Sequence, residues 1–180
     1  FLQDIRYHLS DLAESISLKS ASLFTDYISW AKVLLLNKGL SIEGLKINLK
    51  CIRDILENKF NDSKMQIINM YLEQGIAIIE SDTEDPSSHL KKSNPLYNLA
   101  QDYMDKLLDG SRKESSKLIL DAVENGVDIK DIYLNVFQPV QREIGRLWQL
   151  NKISVAREHY CTSITQLVMS QLYPYILSGE

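Results

Sequence analysis

The sequence predicts an all-α fold: an N-terminal helical module followed by an antiparallel four-helix bundle. Two observations carry this. Apolar residues recur at three-four spacing along the whole chain, the period of a helix with one buried face. Chain breakers are sparse, with seven isolated glycines and four prolines in 180 residues, and no Asn-Gly or Asp-Gly pair is present to turn a hairpin.

The elements follow in order. Leu9, Leu12, Ile16, Leu23, Tyr27, Ala31, Leu34 and Leu35 make one amphipathic stripe, read as a single long helix ending near Gly39. Ser41, Ile42, Glu43 and Gly44 supply an N-cap for a second helix carrying Leu45, Leu49, Ile52, Ile55 and Leu56. A third follows Asn61, Asp62 and Ser63 and runs through Ile67, Met70, Tyr71 and Ile78. Residues 81–95 break the composition, acidic at first, then Pro-Ser-Ser, then Lys-Lys-Ser-Asn-Pro. The boundary falls there, between an interaction or signalling module (1–85) and a bundle (94–180).

In the bundle one helix spans about 96–108 and stops at Gly110, and the next spans about 112–124 and stops at Asn125-Gly126. The third runs from Asp128 to Trp148 with a bend at Pro139, which has no N–H to donate. The last begins near Ser154, a capping hydroxyl, with Glu158 in its first turns. Short connections make neighbouring helices antiparallel.

Several function classes are excluded. A net charge of −4 with scattered basic residues leaves no electrostatic footprint for nucleic acid. No apolar run is long enough to span a membrane, and Asp4 and Arg6 follow Phe1 too closely for a signal peptide. Cys51 and Cys161 do not suggest a secreted disulfide framework, so a reduced, cytoplasmic setting is expected. No nucleophile-base arrangement or phosphate loop is visible, and neither an enzyme nor a catalytic residue is expected. His159-Tyr-Cys161 lacks two further ligands, so no metal site is expected. His8 and His89 are expected at the surface, and Trp30 in the core. The chain opens without Met and stops at Ser178, Gly179 and Glu180 just after a helix, as a piece of a longer polypeptide would.

One constellation stands out. Trp148 is followed, after nine intervening residues, by the adjacent pair Glu158-His159, and from Tyr160 to Gly179 there is no formal charge. A surface helix of that length normally carries charges on its outer face. Here His159, Ser163, Gln166 and Ser170 share one face, and Ile164, Leu167, Val168 and Leu172 make the core stripe. A tight turn between antiparallel helices would bring indole, carboxylate and imidazole to one rim, above a polar, uncharged surface that a large ligand could approach closely. Taken singly, each has an ordinary reading: a core aromatic, a satisfied or exposed histidine, an acid complementing the helix dipole.

This stretch resembles the Trp-x9-Glu-His signature of helical cap modules in cobalamin-binding regulators, best known from adenosylcobalamin-dependent photoreceptors. Leu107-Leu108-Asp109-Gly110, Ala122 to Val127, Ile132-Tyr133, Gln138-Pro139 and Glu143-Ile144-Gly145 are similar too, over about residues 94–177. The resemblance implies a bundle lying over the upper face of a corrinoid that a downstream B12-binding α/β domain holds. Trp148 would cover the upper axial ligand, Glu158 and His159 would contact its adenosyl group, and Val155 and Ser163 would join the contact surface. Two features depart from the pattern. The photoreceptors that re-ligate cobalt have a histidine after the Trp, where Gln149 stands here. The lower-ligand loop Asp-x-His-x-x-Gly is absent, as is any Gly-rich strand-to-helix turn. This chain alone is therefore expected to bind cobalamin weakly or not at all. Expected partners are the α/β domain and, in some assemblies, a second copy, with no nucleic acid and no membrane. Competing readings are the cap of a corrinoid protein serving a methyltransferase, and a cofactor-free helical scaffold.

Overall fold

The computed structural model describes residues 2–177; Phe1 and residues 178–180, where the chain ends were placed above, lie outside them. The described residues are all-helical with no strand, and the chain divides into two compact units, Phe1–Asp85 and Pro86–Glu180.

The first unit holds α1 (Leu2–Ser17), α2 (Ala21–Asn37), α3 (Glu43–Glu57) and α4 (Asp62–Glu80). The single long helix expected up to Gly39 is two helices. Lys19 adopts φ +53°, and the N–H groups of Lys19 and Ser20 bond the carbonyls of Ile16 and Ser15. That is the Schellman stop usually made by glycine. The turn resets the helical phase, so α2 buries Phe24, Ile28 and Ala31 while Leu23 stays exposed. Ser41 accepts from the Glu43 N–H and Asn61 caps α4 by accepting from the Lys64 N–H.

Several sequence expectations are corrected in this unit. Ile55, Ile67 and Met70 are exposed, and the faces of α3 and α4 turn inward through Leu45, Leu49, Ile52, Met65, Ile68, Tyr71, Leu72 and Ile79. His8 is buried, its Nδ1 2.7 Å from the Tyr27 hydroxyl. Trp30 is not in the core: it is 42% exposed and stacks on Tyr27. Lys32 is buried by snorkelling to the C-terminus of α4, where its ammonium donates to the carbonyls of Ile78 and Ser81.

The second unit holds α5 (Tyr97–Asp109), α6 (Arg112–Glu124), α7 (Ile129–Ile132), a π-helical turn (Tyr133–Phe137), α8 (Gln138–Gln149), α9 (Val155–Gln171) and the short α10 (Tyr173–Leu177). Tyr103, Leu107, Ile119, Ile132, Val136, Val140, Ile144, Cys161, Ile164 and Val168 form its core. Gly110, Gly126 and Asn151 repeat the left-handed stop at φ +80°, +88° and +55°.

The bend expected at Pro139 is a π turn just ahead of it. Proline donates no N–H, so the Asn135 carbonyl four residues back loses its helical partner. The turn widens there, and the Asn94 side chain supplies the missing donor at 2.7 Å. Residues 86–93, left between the modules by sequence, lie along α8. Arg146 grips the buried Glu143 carboxylate through both oxygens and donates to the Pro86 carbonyl, while the His89 N–H donates to Glu143. Burial pushes the Glu143 carboxyl up, but these hydrogen bonds and the Arg146 charge outweigh it and hold it below the usual range.

Candidate functional site at the α8–α9 rim

Two helices build the site. Trp148 lies in the last turn of α8, its carbonyl accepts from the N–H of Asn151 in the stop, and residues 150–154 fold α9 back against α8. Ser154 caps α9 by accepting from the Arg157 N–H, which sets Glu158 in the first turns. The helix repeat then divides α9 into three faces.

One face ties α9 to α5. The Arg157 guanidinium donates to the Leu108 carbonyl at 2.8 Å and the Tyr160 hydroxyl to the Gly110 carbonyl at 2.9 Å. Both therefore cap the last turn of α5. Cys161 lies beneath them in the core, its Sγ 3.5 Å from the Leu107 carbonyl, and burial raises its thiol pKa. Cys161 and His159 thus diverge, and among the described residues no three His, Cys, Asp or Glu side chains are placed to hold a metal ion.

The second face meets α8. Glu158, Thr162, Thr165 and Met169 run along it, with Thr162 and Thr165 bonded to Gln141 of α8 and Gln138 lining the same groove. Below the Glu158 level lies a groove of about 360 Å³ with Gln141, Thr162 and Thr165 on one side and Tyr133, Phe137 and Met169 among its apolar lining. Trp148 is half-buried at the other end, so part of its indole reaches the surface. Gly145 lies between the indole and Gln141, and a Cβ there would touch nothing within 4 Å. That face of α8 is open.

The third face is the neutral one. His159, Ser163, Gln166 and Ser170 are exposed together, as the spacing predicted. Ser163 donates to the His159 carbonyl at 2.8 Å and Ser170 to the Leu167 carbonyl at 2.6 Å, so both hydroxyl hydrogens turn back to the helix. Leu167, expected in the core stripe, is 38% exposed; Thr165 is buried instead.

Glu158 and His159 sit where the second and third faces join. The His159 Nδ1 contacts Glu158 Oε2, with the imidazole 75% exposed and the carboxylate 24% exposed. Val155, one turn earlier, is also exposed. The five residues singled out by sequence thus lie at the end of α8 and on the outer and α8-facing sides of α9. Gln149, beside Trp148, turns inward and is 6% exposed.

Sequence reading missed the polar track beneath Glu158. Thr162 Oγ1 lies 3.1 Å from Glu158 Oε1 and 3.0 Å from Gln141 Oε1; Gln141 Nε2 lies 2.8 Å from Thr165 Oγ1, itself 3.0 Å from the Tyr103 hydroxyl. The only local signal was the i, i+4 step from Glu158 to Thr162.

A partly exposed indole, a carboxylate-imidazole pair and an uncharged helix face can each offer a ligand stacking or hydrogen bonds. No curated protein and no solved structure matches the chain. The model of the family described as a B12 binding domain matches residues 99–173, from α5 to the start of α10, and supports a cobalamin-binding helical cap module in the second unit.

Proposed function

We propose that the second unit caps the upper axial ligand of a corrinoid held by an α/β domain that follows it, within a sensory or regulatory protein. The observation that carries this reading is the rim itself: Trp148 partly open to the surface, with Glu158 and His159 paired across one junction, inside the segment that matches the B12 binding domain.

The chain's own residues suit the role. The indole of Trp148 excludes water from the upper ligand. Glu158 accepts hydrogen bonds from a ligand hydroxyl, and His159 holds the carboxylate by one oxygen and leaves its ring exposed to the same space. Val155 adds apolar contact. Ser163, whose hydrogen is already committed to the helix, offers a lone pair. An alkylcobalamin, when bound, brings a weak cobalt–carbon bond whose loss would change these contacts. The favoured upper group is adenosyl, since two polar side chains at the rim are redundant against a bare methyl. With the inward-turned carboxamide of Gln149 beside Trp148, that position supplies no imidazole to cobalt.

Ligand loss would shift the bundle between two states only through such differential contacts, and the first unit would pass the shift to an output partner. The protein acts as a binding module and not as an enzyme on this reading. The test is a polypeptide extended past Glu180 to include the next domain, mixed with adenosylcobalamin in the dark and desalted. A protein that keeps the corrinoid spectrum supports the reading; one that elutes colourless sinks it.

A further inference from the structure

We propose that Tyr103, Thr165, Gln141 and Thr162 form a one-way hydrogen-bond relay that makes Glu158 a fixed acceptor at the rim, with Gln141 as its positioning residue. The four come from α5, α8 and α9 and connect a wholly buried phenol to a carboxylate at the surface.

Hydrogen counting sets the direction. Thr162 has one hydroxyl hydrogen and faces two oxygens, Glu158 Oε1 and Gln141 Oε1. Both cannot receive it, and one pair would face each other without a proton. A half-turn of the Gln141 amide exchanges its oxygen and nitrogen at almost unchanged heavy-atom distances. The nitrogen then donates to Thr162, Thr162 donates to Glu158, and Thr165 donates to the amide oxygen. Tyr103 completes the series by donating to Thr165.

The near end decides which sense wins, since a carboxylate has no hydrogen to give and Thr162 must donate to it. The Tyr103 hydroxyl is buried and Thr165 is its hydrogen-bond partner among the described residues. With Thr165 donating to the Gln141 oxygen, its hydrogen is committed, and the Tyr103 hydroxyl supplies the hydrogen of the last link. Burial also pushes the phenol pKa well above its ordinary value, so it stays a donor. Each link polarises the next toward the carboxylate.

The consequence for recognition rests on the cap reading. With Glu158 Oε1 held by Thr162 and Oε2 facing His159, the ligand group that meets this carboxylate must be a hydrogen-bond donor, a hydroxyl or an amine. A methyl or cyano group offers none.

Two measurements separate the relay from the cap. In the 180-residue chain, carbon-13 and nitrogen-15 NMR follow the Glu158 carboxyl and the Gln141 side-chain amide. Tyr103→Phe and Thr165→Val should each shift both signals, and Ile119→Val, an apolar change in the same core, should leave them in place. A Glu158 signal unmoved by loss of either hydroxyl overturns the relay, whatever the protein binds. In the extended polypeptide, Gln141→Met should weaken adenosylcobalamin binding about tenfold, the worth of one good hydrogen bond, and leave methylcobalamin binding unchanged. Equal loss of both ligands overturns the positioning role. If the unaltered polypeptide retains neither corrinoid, the cap reading fails, and the NMR result still decides the relay.

Discussion

Lys19 holds a left-handed backbone for which the sequence offers no sign. Glycine or asparagine marks such a stop; a lysine does not, and the stripe through Leu9 to Leu35 therefore ran on unbroken. Lys19→Gly should raise the stability of the first unit by about 0.5–1 kcal/mol, because glycine adopts φ near +53° without the Cβ penalty. Chemical denaturation reads it directly, and a loss of stability would show that the lysine side chain contributes something else. Glu143 gives the second prediction at this scale. Its folded pKa is depressed, so its stabilisation is present above the unfolded carboxylate range, near pH 4.3, and is lost as pH falls through the folded value. Hydrogen exchange at the His89 amide, which donates to this carboxylate, should stay slow at neutral pH and accelerate as pH falls below about 4, relative to unperturbed core amides. Glu143→Gln should abolish that pH dependence.

At the scale of the element, two helices show what their neighbours demand. The π turn leaves the Asn135 carbonyl to be satisfied from outside, and Asn94 does so while its own Oδ1 accepts from the Leu96 N–H. Asn94→Ala should cost about 1 kcal/mol in thermal unfolding of the second unit, the low end of the range for a carbonyl losing its donor, since this one is only partly buried. In α4, Gly75 lies against Phe24: a Cβ there would come within 2.7 Å of the ring. Alanine is the better helix former by about 1 kcal/mol, yet Gly75→Ala should destabilise the first unit by roughly 1–2 kcal/mol net, since overpacking costs more than propensity returns. A stabilised variant would mean that Phe24 moves aside freely. The helix positions were legible because caps and glycine stops are local chemistry: Asn61, Asp128 and Ser154 each accept the backbone N–H that a cap should. The faces of α2 and α4 were less legible, because nearly every position there is apolar and only packing selects among them.

Across the whole molecule, two units of similar size carry different amounts of information. The family match covers residues 99–173, all within the second unit. The scaffold and cap readings of the second unit differ in what Trp148 contributes. Fully buried, its removal would cost about 3–5 kcal/mol. The half-buried indole seen here should cost about 1–2 kcal/mol on Trp148→Ala, and the thermal unfolding midpoint of that variant should fall by about 4–8 °C per kcal/mol. A loss in the larger range would favour a structural tryptophan.

Sequence by itself determined the all-α class, most helix ends and the outward side of α9 through His159, Ser163, Gln166 and Ser170. All of these depend on residues within a turn or two of one another. Tertiary structure alone decided that Tyr103 and Thr165, 62 positions apart, share a hydrogen bond that leads through Gln141 to Glu158. The rotation of each helix about its axis is chosen by packing against the others, and no local pattern records it.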